Sequence, residues 1–179
     1  MKRAKIFYSI IIVLCLVTII LSTYYSLGGF DPVEVYVMAG KGRTVIGNEY
    51  IEKYDYTTFD KRMKETRAAI DSGKLKGMLT VVFFKNESIG EDSIHYFMGA
   101  SIDEIKDVLR LPAGYSYREF STPKVFKIFM TQHTLVRPNP EEVARLMEVK
   151  AIEEGTLLKP YWFELYYQDE SLSVEYWAK

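Results

Sequence analysis

One order of elements runs through this chain twice: extended segments, a helix, then two more extended segments. In the first pass, Val33–Ala39 alternates and is rich in Val, and Gly40-Lys41-Gly42 reads as a hairpin turn. Thr44–Tyr54 continues extended, with a bulge expected at Gly47. A helix follows to about Ser72, capped by Thr57 or Thr58 and stopped by Gly73; Phe59, Met63, Thr66 and Ile70 share its apolar face. Lys76–Lys85 and Ser93–Ile102 are the closing strands, and Asp103–Leu109 reads as a short helix before the second pass. There, Tyr115–Ser121 and Val125–His133 are extended around Pro123. Asn139 caps a helix with Pro140 in its first turn, which carries Val143, Leu146, Met147 and Ala151 toward a core. Tyr161–Tyr167 and Leu172–Trp177 close it, and Ser72-Gly73-Lys74-Leu75 matches Glu154-Gly155-Thr156-Leu157 at the two helix exits. Such a chain is expected to be α+β: duplicated βαββ halves forming one antiparallel sheet, helices on one face, and a central groove between the halves.

Ahead of this lies a different kind of segment. Ile6–Leu27 carries no charge and is about the ~20 residues that span a bilayer. Tyr8, Tyr24 and Tyr25 sit near its ends, where interfacial aromatics belong. The basic start Met1-Lys2-Arg3-Ala4-Lys5 is expected to stay cytoplasmic and the domain to lie outside the cytoplasm. The expected organisation is a cytoplasmic start (1–5), one transmembrane helix (6–27), a linker (28–32) and a ligand-binding domain (33–179). The alternative is a cleaved signal peptide and a secreted domain, although signal cores run only about 7–15 residues. The three bases lie within residues 1–30, which hold no acid, so the rest of the chain is more acidic by three than the total of −1. That balance argues against nucleic acid as a partner. Cys15 is the single cysteine, so neither an internal disulfide nor a thiolate metal site can form. His95 and His133 stand in different halves without acids at ligand spacing, so neither a metal nor a cofactor is expected. Gly40-Lys41-Gly42 lacks the spacing of a phosphate loop.

The strand Pro160-Tyr161-Trp162-Phe163-Glu164-Leu165-Tyr166-Tyr167 sets one carboxylate among aromatics. Alternation puts Trp162, Glu164, Tyr166 and Gln168 on one face and Tyr161, Phe163, Leu165 and Tyr167 on the other. The second, uniformly apolar face is expected to pack on the helices, and the first to mix aromatic walls with one charge, as a pocket does. The first-half counterparts of Trp162, Glu164 and Tyr166 are Leu79, Val81 and Phe83, so only one half supplies a carboxylate. Tyr96, Met98, Tyr36, Met38 and Tyr50 are further wall candidates, each as readily explained by core packing.

Three short stretches in series carry a family resemblance: Arg43-Thr44-Val45-Ile46-Gly47, Leu111-Pro112-Ala113-Gly114-Tyr115, and Phe163-Glu164-Leu165-Tyr166. With the duplication, they make Val33–Trp177 resemble the GyrI-like small-molecule-binding domains, the effector-binding fold of AraC-type and MerR-type activators. The resemblance implies a pocket between two βαββ halves. In multidrug-sensing relatives a central Glu, here Glu164, faces lipophilic cations stacked on aromatics; other relatives bind proteins, and some are hydrolases. This chain is expected to depart from the activators in carrying a membrane anchor and no DNA-binding region.

The expected function is therefore membrane-anchored sensing or sequestering of an apolar small molecule, neutral or cationic. Glu164, Trp162, Tyr166, Tyr96, Met98 and Tyr36 are its candidate ligand residues. The alternatives are a hydrolase of the same fold using Glu164 with a Tyr, and a module that docks a membrane protein partner.

Overall fold

The computed structural model describes residues 2–40, 42–85, 90, 92–102 and 111–179, with the side chains of 2–7 and 9 left aside. The short helix expected over Asp103–Leu109 lies outside the described residues. The chain runs α1 (Lys2–Ser26), β1 (Tyr36–Ala39), β2 (Gly42–Lys53), α2 (Tyr56–Asp71), β3 (Met78–Phe84) and β4 (Ser93–Ile102). It continues with β5 (Ser116–Ser121), β6 (Lys124–Met130), α3 (Pro140–Glu153), β7 (Leu158–Tyr166) and β8 (Leu172–Ala178).

All eight strands form one antiparallel sheet in the order β1-β6-β8-β7-β3-β4-β2-β5. The order reads the same from both ends once β6, β8 and β7 are matched with β2, β4 and β3. The pseudo-twofold passes through the central β7/β3 pair, where Glu164 stands opposite Val81, flanked by Trp162–Phe83 and Tyr166–Leu79. The halves also exchange their first strands. β1 precedes β2 in sequence yet pairs with β6, and β5 precedes β6 yet pairs with β2. The hairpin expected at Gly40-Lys41-Gly42 would require β1 to pair with β2, and it does not; Lys41 itself lies outside the described residues.

The two crossing connections meet at Gly40. Its N–H donates to the Pro123 carbonyl at 2.7 Å, and a Cβ built there would lie 1.8 Å from the Thr122 carbonyl oxygen. Only glycine allows that approach. The bulge expected at Gly47 is absent: β2 keeps continuous register with β4 and β5 through that residue, which faces Gly99.

The helices start where side chains satisfy their free N–H groups. Asp55, not a threonine, caps α2, accepting from the Thr58 N–H at 2.8 Å and from its hydroxyl at 2.5 Å. Asn139 caps α3 by accepting from the Glu142 N–H at 2.8 Å. Both helices pack on the same sheet face. α3 sets Val143, Met147 and Ala151 on Phe126, Ile128, Met130 and Val174, while α2 sets Phe59 and Met63 on Val81, Tyr96 and Met98.

The other face is not open. Phe163, Trp177, Val45, Val82, Phe97 and Val125 form a buried cluster there, bordered by Phe120 and Tyr161. Arg43 on β2 reaches Glu175 on β8, Nη1 to Oε2 at 2.9 Å and Nη2 to Oε1 at 3.2 Å, although three strands separate them in the sheet. In a flat sheet those strands would stand about 19 Å apart, so the sheet curls around this pair and the helices ride its convex side. The face of Tyr161, Phe163, Leu165 and Tyr167 thus packs inside the curl. The helices cover the Trp162–Glu164–Tyr166 face instead, the reverse of what its mixed composition suggests.

α1 has 25 residues. Among the described residues, no helix is long and apolar enough to cross a membrane. Its C-terminal end is joined to the domain, the His133 N–H donating to the Leu27 carbonyl at 3.0 Å.

Candidate functional site

Glu164 leaves the middle of β7 toward α2 and α3, at the pseudo-twofold. One carboxylate oxygen accepts from the Tyr166 hydroxyl at 2.5 Å, the other from the Trp162 indole N–H at 3.3 Å. Residues two apart on a strand share a face, so E-x-Y and W-x-E spacings alone bring the three side chains together. Both donors are neutral, and no described lysine or arginine forms an ion pair with this carboxylate. Burial consequently pushes the Glu164 carboxyl above its ordinary value of 4.5, and the two donated hydrogen bonds only partly offset this. Burial likewise pushes the Tyr166 hydroxyl well above its ordinary range, with the adjoining carboxylate adding to the rise.

Trp162 stands in an aromatic row across the sheet. Phe83 stacks on one side at 5.2 Å between centroids, and Tyr176 on the other at 5.8 Å with planes 6° apart. Beside this row, between α3 and strands β7 and β8, lies a pocket of about 730 Å³. Trp162, Glu164, Tyr176 and Val174 line its floor and Val143, Ala151 and Ile152 its helical wall. In the first half Phe59 of α2 sits against the corresponding row, 6.0 Å from Phe83 and 5.3 Å from Tyr96. A second cavity of about 570 Å³ lies between the end of α2, the start of β3 and the end of β7. Tyr166 lines it, so the Tyr166–Glu164 hydrogen bond separates the two spaces.

Of the residues expected at the site, the structure brings Glu164, Trp162 and Tyr166 together. Tyr96 and Met98 are buried in the first-half core with Val81 and do not line the large pocket. The Tyr96 hydroxyl donates to Glu52 at 2.6 Å, and Arg62 holds the same carboxylate at 2.7 Å while lying 3.8 Å over the Tyr50 ring. Tyr36 is on the edge strand β1, 53% exposed, far from the groove, with its hydroxyl donating to Glu34. Tyr176, the second stacking partner of Trp162, was missed. Its position on the neighbouring strand, on the same face, follows only from the pairing Trp162–Tyr176, which alternation alone cannot supply.

His95 is drawn into an ion cluster on the concave side. Its Nε2 lies 2.6 Å from Glu49, whose same oxygen accepts from Arg118 at 2.6 Å. Among the described residues no group of three His, Cys, Asp or Glu side chains is placed to hold a metal.

No family model and no curated protein matches this sequence. Solved structures do. The crystal structure of the EcmrR C-terminal domain superposes with a TM-score of 0.52 at 12% identity, covering 82% of this chain and 98% of that one. An EcmrR–DNA complex solved by cryo-EM gives 0.52 at 11% identity, covering 99% of this chain and 69% of that one. The structure of SAV2435 bound to tetraphenylphosphonium reaches 0.48 at 13% identity over 83% of this chain and 94% of that one, too slight a likeness to speak for fold or ligand. The EcmrR superpositions give the region after residue 32 the fold of the EcmrR C-terminal domain, in keeping with the resemblance that the three sequence stretches carry.

Proposed function

We propose that the domain binds a small apolar cation, for sensing or sequestration, and that α1 anchors it to a membrane. One observation carries the ligand reading: a carboxylate at the centre of the fold, beside an aromatic pocket, is satisfied only by neutral Trp and Tyr donors. Its raised pKa marks the absence of a counter-charge, and a cation in the pocket would supply one. Trp162 and Tyr176 would add apolar contact on the pocket floor, worth roughly 25 cal/mol per Å² covered. The pseudo-symmetry supports the same reading, since the fold is built equally well around Val81 at the matching position.

The anchor reading rests on the uncharged run Ile6–Leu27 and on the exposure of its apolar side chains, such as Ile10 at 61%, Leu14 at 65% and Ile20 at 65%. Such a surface is costly in water. The lysines and arginine of the first five residues would then stay cytoplasmic and the domain would lie outside the cytoplasm.

The Tyr166–Glu164 contact of 2.5 Å supports a second reading, in which the pair serves as acid and base of a hydrolase. The two separate experimentally. Equilibrium binding of tetraphenylphosphonium to the full chain in nanodiscs, corrected with empty nanodiscs, is expected to weaken at least about tenfold in Glu164→Gln. An unchanged affinity rejects Glu164 as the counter-charge, and turnover of ester or epoxide substrates lost in the same variant would favour the hydrolase.

A further inference from the structure

The chain leaves α1 by a turn that folds back on the helix. The Gly28 N–H donates to the Tyr25 carbonyl at 3.0 Å and the Gly29 N–H to the Tyr24 carbonyl at 2.9 Å. Gly28 takes a φ of 79°, in the left-handed region that favours glycine, and a Cβ on Gly29 would overlap the Tyr24 ring. Phe30 thereby returns to Tyr24, edge-on with 4.9 Å between centroids, and to Tyr25 at 6.5 Å. These contacts group the rings without covering them: Tyr25 stays 75% exposed and Phe30 61%. Grouped, uncovered aromatics at the end of an apolar helix suit the layer between hydrocarbon and water.

The domain brings a loop to the same place. Residues 131–139 connect β6 to α3, and the loop is tied to the end of α1 by the His133–Leu27 hydrogen bond. Its own bonds shape it: the Val136 N–H donates to the His133 carbonyl at 2.9 Å, the Leu135 N–H to His133 Nδ1 at 3.3 Å, and Arg137 Nε to the Gln132 carbonyl at 2.7 Å. At its turn stands Leu135, 82% exposed, the most exposed large apolar side chain among the described residues. Only two residues separate it from His133, so its Cα lies at most roughly 11 Å from the Leu27 carbonyl. The loop carries His133 and Arg137 and no acid. Asp31, Asp169 and Glu170 line, with Arg137, a cavity of about 320 Å³ between the loop and α1. Those acids disfavour an anionic surface, so the contact suits a zwitterionic one, met through apolar side chains.

We infer that the domain makes a lipid contact of its own: Leu135, with Tyr25 and Phe30, enters the headgroup region of a zwitterionic bilayer beside α1 and fixes how the domain sits on the membrane. This rests on the anchor reading and adds to it a second point of attachment. Met130 and Pro138, on either side of the loop, line the 730 Å³ pocket, so the contact also sets that end of the pocket beside the lipid.

Collision rates of a nitroxide label test this. In the full chain carrying Cys15→Ser, one label is attached at Leu135→Cys, at Ile20→Cys in α1, or at Lys64→Cys on the charged outer side of α2, and each sample is placed in phosphatidylcholine nanodiscs. Oxygen concentrates in lipid and a neutral nickel chelate in water. The label at 64 gives the value for open water, since the Lys64 side chain is 76% exposed. The label at 135 is expected to lose nickel collisions relative to 64 and to keep its oxygen collisions, with a shallower depth than the label at 20. The Leu135 side chain is largely uncovered, so its replacement leaves the fold intact, which an unchanged near-ultraviolet circular dichroism spectrum verifies. Nickel access at 135 equal to that at 64, with 20 still in lipid, overturns the inference and leaves the anchor standing. A label at 135 shielded from both reagents, as beneath a protein partner, also overturns it. A label at 20 that meets nickel as freely as 64 overturns the anchor reading and the inference with it.

Discussion

Removing either member of the Arg43–Glu175 pair should cost far more than removing both. The side chains are 3% and 1% exposed and touch at two points, 2.9 and 3.2 Å. The guanidinium carbon also lies 5.3 Å from the Phe163 ring centroid and 5.8 Å from that of Trp177. Arg43→Met leaves a carboxylate in this apolar cluster, and Glu175→Leu leaves a guanidinium. Each is expected to lose about 3–5 kcal/mol, because one buried charge then loses this two-point ion pair. The double variant keeps the volume and removes both charges. One cost that remains is the Trp177 indole N–H, which donates to Glu175 at 3.3 Å in the parent and would cost about 1–2 kcal/mol unpaired. The coupling should therefore reach at least about 2 kcal/mol. Urea unfolding of the full chain, followed by near-ultraviolet circular dichroism, gives all four corners of the cycle. A double variant whose loss equals the sum of the singles would refute the reasoning, and the curl of the sheet would then need another cause. The pair matters to the site because it ties β2 to β8 and bends the sheet that presents Glu164 on its convex side.

Gly40→Ala should be among the most destabilising single-methyl changes in the chain, costing more than about 2 kcal/mol, because a backbone carbonyl occupies the place of the new Cβ; unfolding within about 0.5 kcal/mol of the parent would argue against the close crossing. Asn139→Ala should cost about 1 kcal/mol in the same assay through loss of the α3 cap. The pH dependence of stability should carry a mark of Glu164. Its folded pKa lies above its unfolded one, so its contribution is full below the unfolded value and is lost as pH rises through the folded value. Melting temperatures of the parent minus those of Glu164→Gln should accordingly fall as pH rises above about 4.5; a difference that stays flat or rises contradicts the raised pKa.

Much of this was legible in the chain. All eight strands, α2 and α3 follow from periodicity and stop signals, and the matched helix exits at Gly73 and Gly155 revealed the duplication. Asn139-Pro140 fixed the start of α3 by its chemistry. Asp55 was overlooked for α2 because two threonines stood closer to the apolar run. What alternation cannot encode is partnership. It placed Trp162, Glu164 and Tyr166 on one face but assigned the wrong face to the helices, since the uniformly apolar side is buried by the sheet's own curvature. The exchange of β1 and β5 depends on long-range pairing, and Gly40-Lys41-Gly42 looks locally like any hairpin. Tyr36 and Tyr96 were plausible walls for the same reason: which residues reach the pocket is decided by strand order and by which helix leaves room. α2 fills its half with Phe59, whereas α3, facing the groove with Ala144 and Ala151, leaves a space.

The claim that Glu164 is the counter-charge for a cation is tested most directly by proton release. Tetraphenylphosphonium has no titratable group, so any proton set free on its binding comes from the protein or its lipid. Calorimetric titrations of the full chain near pH 5, repeated in buffers of different ionisation enthalpy and corrected with empty nanodiscs, yield the number released. The account predicts a net release in the parent that diminishes as pH rises and is absent in Glu164→Gln. Binding with no release at any pH between 4 and 7, or an equal release from Glu164→Gln, would contradict it.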